Sequence, residues 1–362
     1  MTRPNSHKAG RSHKAGRSHK GGVILRLLLA IVLLIALGAG AAYVSLTLPY
    51  RGFSKPVILD FPRGTSTSAM AAELAQSGVI RYPWQFLAVR ALRPDARLQA
   101  GEYQFSEPAA AFRVYARIAR GDVFFYELSV PEGSNMFDIA ASIDRFDFIK
   151  GADFLRAARD PSLIHDLAPQ APSLEGYLFP STYRLTRRTT VQQLCQMMTD
   201  QFRKNWRDLQ NTDHPASVND TVTLASLVEK ETAVPLERPE VAAVFQNRLR
   251  LGMALDCDPT TIYASMLEQR YRGTIHRSDL DSANRYNTYK HPGLPPGPIA
   301  NPGVASLKAS LQPAATDYLY FVAKADGSGG HQFSKSIEEH NRAVDQYRHN
   351  VKKSSAAAPP GL

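Results

Sequence analysis

The chain has 362 residues, of which 44% are hydrophobic and 21% are charged, a balance typical of a globular protein of two or three domains. Its formal net charge of +10 is concentrated at the N-terminus, because seven of the 43 basic residues and none of the 33 acidic residues precede Leu27. The rest of the chain has a net charge of only +3 and no basic stripe interleaved with aromatic residues, which argues against a nucleic-acid-binding protein.

The first 22 residues form a basic tail that contains a short repeat. The sequence Ser-His-Lys-Ala-Gly-Arg starts at Ser6 and at Ser12, and begins again at Ser18. Because this tail has almost no apolar residues, we predict that residues 1–22 are disordered. Its histidines could bind a metal, but the charge favours a solvated tail beside anionic lipid, and no metal site is assigned.

An apolar run follows the tail. Residues 27–48 carry no charge, and this length is enough to cross a hydrocarbon core about 30 Å thick at about 1.5 Å per residue. We predict a transmembrane helix over residues 23–48 and favour a retained anchor over a cleaved signal peptide, whose apolar core is usually shorter. The basic flank predicts a cytoplasmic N-terminus and an exported body. No second apolar run of this length occurs in the sequence, so the protein is predicted to be single-pass.

Two strand–turn–helix units are predicted at the start of the exported body. In the first, a strand at 57–61 leads through a Gly-Thr-Ser turn into a helix at 69–76. In the second, a strand ending at Val130 leads through Pro131–Ser134 into a helix at 136–143. In both, a glycine turns the chain and a hydroxyl side chain can cap the helix. The two units could equally be unrelated; the fold class that they indicate is α+β.

The sequence after residue 171 is richer in helices. Hydrophobic spacing predicts helices over 191–209, 222–232 and 238–251, followed by a proline- and glycine-dense loop at 293–303. Such a loop is stiff, and stiff loops on a scaffold often form the walls of sites. A buried strand is predicted at 318–322.

The most informative stretch of the sequence is Leu224–Thr232, which places Glu229 and Glu231 inside an apolar run. A carboxyl group in an apolar wall has a raised pKa, because desolvation disfavours its charged form, and this is the state that a general acid needs. At about 100° per residue, the two glutamates lie about 200° apart around a helix and do not share a face. Periodicity places Glu231 towards the core and Glu229 on a face of smaller residues. The alternative is an ordinary helix end, with Glu231 paired to an arginine such as Arg238 or Arg248.

The two cysteines, Cys195 and Cys257, are far apart in sequence. An exported protein could join them in a disulfide, but their spacing does not establish one, and free thiols are the favoured interpretation. The absence of a Cys-x-x-Cys or Cys/His spacing in the sequence argues against structural zinc.

Several motifs occur together in an order that resembles the endolytic murein transglycosylase (YceG-like) family. The resemblance covers roughly residues 57–347, and its motifs are Leu174–Pro180, Ala225–Thr232, Asn247–Leu249, Asp258–Tyr263, Tyr286–Tyr289, Gly293–Gly297 and Gly330–His331. It implies a small LysM-like β/α module at 55–125, a connecting β/α segment at 126–170, and a mixed α+β catalytic domain at 171–350. A disordered tail is predicted at 351–362.

The resemblance also implies a reaction. Enzymes of this family cleave within peptidoglycan glycan strands at the MurNAc–GlcNAc bond and leave a 1,6-anhydroMurNAc end. The C6 hydroxyl of the sugar attacks, so a single carboxyl group can act first as acid and then as base, unlike the pair that ordinary glycosidases use. By resemblance that residue is Glu229. Glu231 is the competing candidate, and it could instead be structural or position the sugar.

Five further residues are candidates for substrate binding or support. Asn287 could bond a sugar N-acetyl group, and Tyr286 or Tyr289 could stack on a pyranose face. Glu175 could line the cleft or cap the aromatic loop that follows it, and Tyr263 belongs to the same set of motifs. Each of them could equally be structural.

The resemblance implies no cofactor. The partners that it implies are glycan strands, the membrane and synthases of the penicillin-binding protein class. It places the protein in the bacterial inner membrane, with the catalytic domain in the periplasm. Two alternatives stay open: a non-catalytic peptidoglycan-binding scaffold for synthases, and a hydrolytic muramidase, which would need a second carboxylate facing Glu229.

Overall fold

The computed structural model describes residues 19–209 and 217–357, with side chains described for residues 23–209 and 217–351. These residues form a mixed α+β fold. The chain divides into two compact units, an N-terminal unit that ends at Phe125 and a C-terminal unit that starts at Tyr126.

The N-terminal unit begins with a long apolar helix, α1 (His19–Thr47). Among the described residues it is the one helix long and apolar enough to cross a membrane, over Val23–Thr47. It fits the single-pass anchor predicted at 23–48. Residues 19–22, predicted to be disordered, are helical, because a helix already nucleated by the apolar run extends at little cost into its neighbours. The rest of the predicted tail lies outside the described residues.

The remainder of this unit is a two-stranded sheet and three helices around one core. Strands β1 (Val57–Phe61) and β2 (Gly101–Phe105) pair antiparallel. The helices are α2 (Thr67–Gln76), α3 (Pro83–Leu92) and α4 (Ala111–Arg120). As predicted, a hydroxyl residue caps α2, since Ser66 Oγ accepts a hydrogen bond from the Ala69 N–H at 3.1 Å. The same prediction is wrong for the second unit, where the amide side chain of Asn135 caps the helix that starts at Met136.

The C-terminal unit contains two small antiparallel sheets among many helices. One pairs β3 (Tyr126–Val130) with β4 (Ser181–Leu185), and the other pairs β5 (Tyr320–Ala323) with β6 (His331–Ser334). The helices of this unit are α5 (Met136–Ile143), α6 (Gly151–Ala158), α7 (Val191–Leu209), α8 (Val218–Glu231), α9 (Arg238–Arg250), α10 (Asp258–Leu267), α11 (Arg277–Leu280), α12 (Val304–Leu311) and α13 (Ile337–Ala357).

Residues 126–170, expected to be a connecting segment, contribute to the main core of this unit. Leu128, Phe154 and Ile164 belong to the same hydrophobic cluster as Tyr177 and Phe202. The compact unit is therefore larger than the predicted catalytic domain of 171–350.

The C-terminal end of the chain differs from the expectation of a disordered tail from residue 351. Helix α13 continues through Ala357, and residues 358–362 lie outside the described residues. The small residues of this end include alanines, which have the highest intrinsic helix propensity and so extend the helix.

Helix α8 is the central element of the C-terminal unit. Every residue from Thr221 to Val228 is buried, and the helix contacts α9, α10 and α12. It ends at Glu231, and a short 3-10 turn at Pro235–Glu237 leads into α9. This reversal brings the first residue of α9, Arg238, back to the end of α8. The two glutamates thus lie in the last turn of a buried helix.

Candidate active site

Glu229 and Glu231 extend from α8 into different surroundings, as their separation around the helix predicts. Glu229 faces the loops that carry Gly133 and Gly303. Glu231 faces Cys257, the residue that precedes α10. At most one of the two can therefore act on a ligand in a given cavity.

Both oxygens of the Glu229 carboxylate accept hydrogen bonds from the protein. Its Oε1 accepts a hydrogen bond from Arg238 Nη2 at 3.0 Å, and its Oε2 accepts one from the Gly303 N–H at 3.0 Å. The Glu229 side chain is 5% exposed and that of Arg238 is 10% exposed. A buried carboxylate with this pairing holds the end of α8 against α9 and the start of α12.

Glu132 is a second carboxylate beside this ion pair, and sequence reasoning recognised only the turn that contains it. Its Oε2 lies 4.0 Å from Arg238 Nη2. Partial burial raises the pKa of Glu132, and the negative charge of Glu229 adds to this effect while Arg238 opposes it. The carboxyl group of Glu132 also lies against Gly303, where an added Cβ would be 2.0 Å from Oε1.

Glu231 has different partners from Glu229. Its Oε1 accepts a hydrogen bond from the thiol of Cys257 at 3.0 Å. Burial raises the pKa of Glu231, and the nearby charge of Asp258 raises it further, while the Cys257 hydrogen bond, His331 and Arg248 act in the opposite direction. This is the environment that keeps a carboxyl group protonated closer to neutral pH.

The arginines do not form the ion pair with Glu231 that an ordinary helix end would have. Arg238 pairs with Glu229 instead. Arg248 donates hydrogen bonds to the backbone carbonyls of Leu319 at 2.7 Å and Leu255 at 3.0 Å. Arg248 acts on Glu231 through its charge.

A cavity of about 370 Å³ opens beside Glu231. This volume falls within the range of small-ligand sites. Its walls combine aromatic side chains with charged ones, and the lining residues are Glu231, Phe245, Arg248, Leu255, Asp256, Cys257, Asp258, Tyr289, Tyr320, Phe321, Ile337 and His340. Among the sequence-predicted site residues, Glu231 and Tyr289 are brought together here.

Tyr289 is the candidate whose ring is available to a ligand. It is 40% exposed, and its hydroxyl donates a hydrogen bond to Asp258 Oδ1 at 2.7 Å. Burial and this hydrogen bond raise the pKa of the phenol. The hydrogen bond fixes the direction of the ring at the edge of the cavity.

Glu175 and Tyr263 form a separate buried network, and the partly buried Tyr286 packs beside it. Glu175 is 0% exposed, and its Oε2 accepts hydrogen bonds from the Met136 N–H at 2.9 Å and the Tyr263 hydroxyl at 3.0 Å. Burial raises the pKa of Glu175 to about 8, against the opposite effect of these hydrogen bonds. The ring of Tyr286 packs on that of Tyr263, with centroids 5.1 Å apart. In this geometry Glu175 joins the start of α5 to the interior and offers no atom to a ligand.

Asn287 organises the loop that carries Tyr289. It is 0% exposed, and its Nδ2 donates to the carbonyls of Leu280 at 3.0 Å and Ser282 at 2.8 Å. Its Oδ1 accepts from the Tyr289 N–H at 3.1 Å. The amide predicted to bond a sugar is therefore occupied by the backbone.

Asn301 is a buried organising residue that sequence reasoning did not single out within the 293–303 loop. Its Oδ1 accepts hydrogen bonds from the N–H groups of Gly176 at 2.8 Å and Leu178 at 2.9 Å. Its Nδ2 donates to Glu175 Oε1 at 2.8 Å. An asparagine in a proline- and glycine-dense loop is the only sequence signal for this role.

Both cysteines are buried free thiols. The His331 Nδ1 atom lies 2.8 Å from Glu237 Oε2, within hydrogen-bond distance. Within residues 19–209 and 217–357, no group of three or more histidine, cysteine, aspartate or glutamate side chains is arranged to hold a metal ion.

Comparisons with known proteins give a consistent result. Residues 59–346 match the YceG-like family. A protein of Bacillus subtilis named endolytic murein transglycosylase is 31% identical over 323 residues, which cover 84% of this chain and 88% of that protein. A protein of Streptococcus pneumoniae with the same name is 28% identical over 325 residues, and the match spans 81% of this chain but 58% of that protein.

A solved structure is also similar. The crystal structure of a YceG-like protein from Listeria monocytogenes superposes with a TM-score of 0.53 at 32% sequence identity. The match covers 80% of this chain and 99% of that one.

Proposed function

Because the chain belongs to the YceG-like family, we propose that it is an endolytic murein transglycosylase. It cleaves MurNAc–GlcNAc bonds within peptidoglycan glycan strands and leaves 1,6-anhydroMurNAc ends, which limits the elongation of nascent strands. The activity named for the relatives from Bacillus subtilis and Streptococcus pneumoniae supports this proposal.

One observation carries the mechanism: Glu231, a partly buried carboxyl group whose pKa is raised, lines a cavity of about 370 Å³. A general acid needs both a position beside the ligand and a proton near neutral pH. Glu229 does not line this cavity, and each of its oxygens already accepts a hydrogen bond, one from Arg238 and one from Gly303. We therefore assign the proton transfers to Glu231. The assignment to Glu229 from the sequence stays a competing prediction that a pair of substitutions decides.

The proposed reaction uses Glu231 twice. Protonated Glu231 gives its proton to the glycosidic oxygen as the bond from that oxygen to C1 of MurNAc breaks. The C6 oxygen of the same MurNAc then bonds to C1, and the Glu231 carboxylate takes the proton of that hydroxyl. The leaving sugar keeps the first proton, Glu231 is protonated again, and no water is consumed.

The surrounding residues support this chemistry in two ways. Cys257 holds one oxygen of Glu231, so the other oxygen remains for the substrate. Tyr289 presents a ring, oriented by Asp258, on which the C–H face of a pyranose can pack. Glu229 and Arg238 act as positioning residues, because they fix the turn that carries Glu231.

A hydrolytic muramidase is a second candidate, because Asp256 and Asp258 line the same cavity as Glu231. A carboxylate opposite the acid could activate water in place of the C6 hydroxyl. A non-catalytic scaffold for cell-wall synthases would form no product at all. The test is mass spectrometry of peptidoglycan digested by the purified full-length protein. Anhydro-ended muropeptides would support the transglycosylase. Products with reducing ends would indicate a hydrolytic muramidase, and an undigested substrate would indicate a non-catalytic scaffold.

We also propose the arrangement of the protein in the cell. Helix α1 anchors it in the bacterial inner membrane with the N-terminus in the cytoplasm, and the apolar composition of Val23–Thr47 supports this. Residues 55–125 act as a LysM-like glycan-binding module, and residues 171–350 hold the catalytic machinery in the periplasm. Synthases of the penicillin-binding protein class are the expected neighbours, because they make the strands that this enzyme would cut.

A further inference from the structure

The end of helix α1 is built into the folded part of the N-terminal unit. Leu46 is 5% exposed and belongs to the same core as Phe86 and Val89 of α3. Gln85, which is 3% exposed, donates hydrogen bonds from Nε2 to both the carbonyl oxygen and the hydroxyl of Ser45, each at 2.8 Å. The last turn of α1 and the start of α3 therefore move as one body.

The apolar helix is longer than a bilayer core requires. Val23–Thr47 contains 25 residues, which extend about 37 Å, whereas the hydrocarbon core is about 30 Å thick. If the helix crosses the membrane, its last turn lies at the level of the lipid headgroups. Ser45 and Leu46, the residues that hold α3, are in that turn.

Helix α3 carries an exposed apolar stripe that starts beside this contact. Trp84, Leu87 and Ala91 are exposed at a spacing of three and four residues, which places them on one side of the helix. Tyr82, immediately before the helix, is 51% exposed, and Trp84 is 43% exposed. We call Tyr82, Trp84, Leu87 and Ala91 the α3 face.

The charged residues of helix α3 and of the two residues before it and the one after it are all basic. Residues 74–94 contain no acidic residue, and Arg81 and Arg93 are exposed at the two ends of the helix. Tryptophan and tyrosine are enriched where a bilayer meets water, and nearby arginines are attracted to anionic headgroups. An apolar stripe flanked by arginines is the pattern of a helix that lies in the membrane interface.

We propose that the α3 face lies in the headgroup region of a phospholipid bilayer, beside the helix that anchors the same chain. The partner is the lipid surface, because the core and the Gln85–Ser45 hydrogen bonds hold the start of α3 at the depth where α1 leaves the hydrocarbon. Seating α3 in this way fixes the orientation of the N-terminal unit on the membrane. The proposal rests on the membrane anchor proposed above.

The fluorescence of Trp84 can report directly on this contact. The chain has two tryptophans, and the other one, Trp206, is 4% exposed and lies in the core of the C-terminal unit. The Trp206→Phe variant of the full-length protein is reconstituted into vesicles of phosphatidylcholine and phosphatidylglycerol that carry spin labels either near the headgroup or deep in the acyl chain. We expect a blue shift of Trp84 emission relative to detergent, with stronger quenching by the shallow label. Emission that no lipid label quenches, and that aqueous acrylamide quenches as it does in detergent, would overturn the proposal.

Hydrogen exchange on the otherwise wild-type chain gives an independent measurement. Amides of residues 81–93 should be more protected in vesicles than in detergent, and Trp84→Asp with Leu87→Asp should remove that protection. The matched control is Ile58→Asp, because Ile58 is 42% exposed in the same unit but lies on β1. Protection that depends on protein density in the membrane would instead indicate a second copy of the chain and overturn the assignment to lipid. Vesicle flotation distinguishes the membrane anchor from the lipid contact of the α3 face. A protein that does not float with the vesicles lacks the anchor. A protein that floats but whose α3 face is not protected contradicts only the lipid contact.

Discussion

The thiol of Cys257 donates a hydrogen bond to Glu231 Oε1 over 3.0 Å, from a position that is only 1% exposed. Of the two carboxyl oxygens of Glu231, this bond engages Oε1. It also stabilises the ionised form of Glu231 and so limits the rise in pKa that burial causes. An incidental cysteine in the sequence thus becomes a residue that orients the proposed acid.

Replacing Cys257 should change the pH dependence of the reaction. Cys257→Ala removes a donor to the carboxylate, so the pKa of Glu231 should rise and the alkaline limb of the activity profile should move to higher pH. Cys257→Ser keeps a donor at the same position and should keep a profile near that of the wild type. The measurement is kcat/KM against pH for the three proteins. Identical alkaline limbs in all three would show that the thiol does not act on the titrating group.

Removing one partner of the Glu229–Arg238 pair should strongly destabilise the fold, because both side chains are nearly buried and the remaining charge would have no partner. Arg238→Ala leaves an uncompensated buried carboxylate and is expected to cost about 3–5 kcal/mol. Glu229→Gln should cost less, since its amide oxygen can still accept the Gly303 N–H. The double substitution should therefore cost less than the sum of the two single ones.

The measurement for this pair is urea unfolding followed by Trp206 fluorescence in a Trp84→Phe background. The matched control is Arg277→Ala, because the Arg277–Asp281 pair is 87% and 50% exposed. That exposed pair should contribute less than about 1 kcal/mol. Equal effects of Arg238→Ala and Arg277→Ala would contradict a special role for the buried pair.

Glu175 should make the C-terminal unit less stable as pH rises. Its folded pKa of about 8 lies above the ordinary value of 4.5. For an acid whose pKa is raised by folding, the stabilising contribution of the proton is complete below about pH 4.5 and is lost as pH rises towards 8. The free energy of unfolding of the wild type should therefore decrease from pH 5 to pH 7 and again from pH 7 to pH 9.

Glu175→Gln tests the source of that slope. The variant cannot titrate at this position, so its stability should vary less with pH. Its free energy of unfolding at pH 5 should also be lower than that of the wild type by about 1–3 kcal/mol, because the new amide group faces a hydrogen-bond donor. An unchanged pH slope would assign the dependence to other groups.

Two glycines should respond differently to alanine. Gly176 has φ of +87°, and an added Cβ would lie 2.4 Å from Pro298 Cγ. Gly176→Ala is therefore expected to cost at least about 1–3 kcal/mol. Gly303 has φ of −77°, and the three atoms nearest to its added Cβ belong to the flexible end of Glu132. Gly303→Ala should lower the temperature of thermal unfolding only slightly. In the double variant Gly303→Ala with Glu132→Ala, most of that decrease should disappear. Equal losses in the two glycine variants would contradict this difference.

Local structure was predictable where the sequence carries a periodic or capping signal. The strand at 57–61, the helix at 191–209 and the placement of the two glutamates on different sides of α8 all follow from residue spacing. The YceG-like family was identified from motifs that occur in a fixed order, and the comparisons confirm it.

The contacts that define the site were not predictable in the same way, because they join distant parts of the chain. Glu132 meets Arg238 across more than a hundred residues, and Asn301 bonds Gly176 across 125. Nothing in the local pattern around Glu175 or Asn287 shows that both are fully buried. Burial of a polar residue is set by tertiary packing, so the sequence left each of them as a candidate for substrate binding.

The central claim is that Glu231 transfers the protons, and product analysis of two matched variants tests it most directly. Glu231→Gln and Glu229→Gln change the same atoms two residues apart on one helix, and thermal unfolding shows that each variant is folded before it is assayed. We expect Glu231→Gln to yield no anhydro-ended muropeptides from peptidoglycan, whereas folded Glu229→Gln retains measurable product. Full activity in Glu231→Gln, with loss of product only in folded Glu229→Gln, would contradict the assignment and return the role to Glu229.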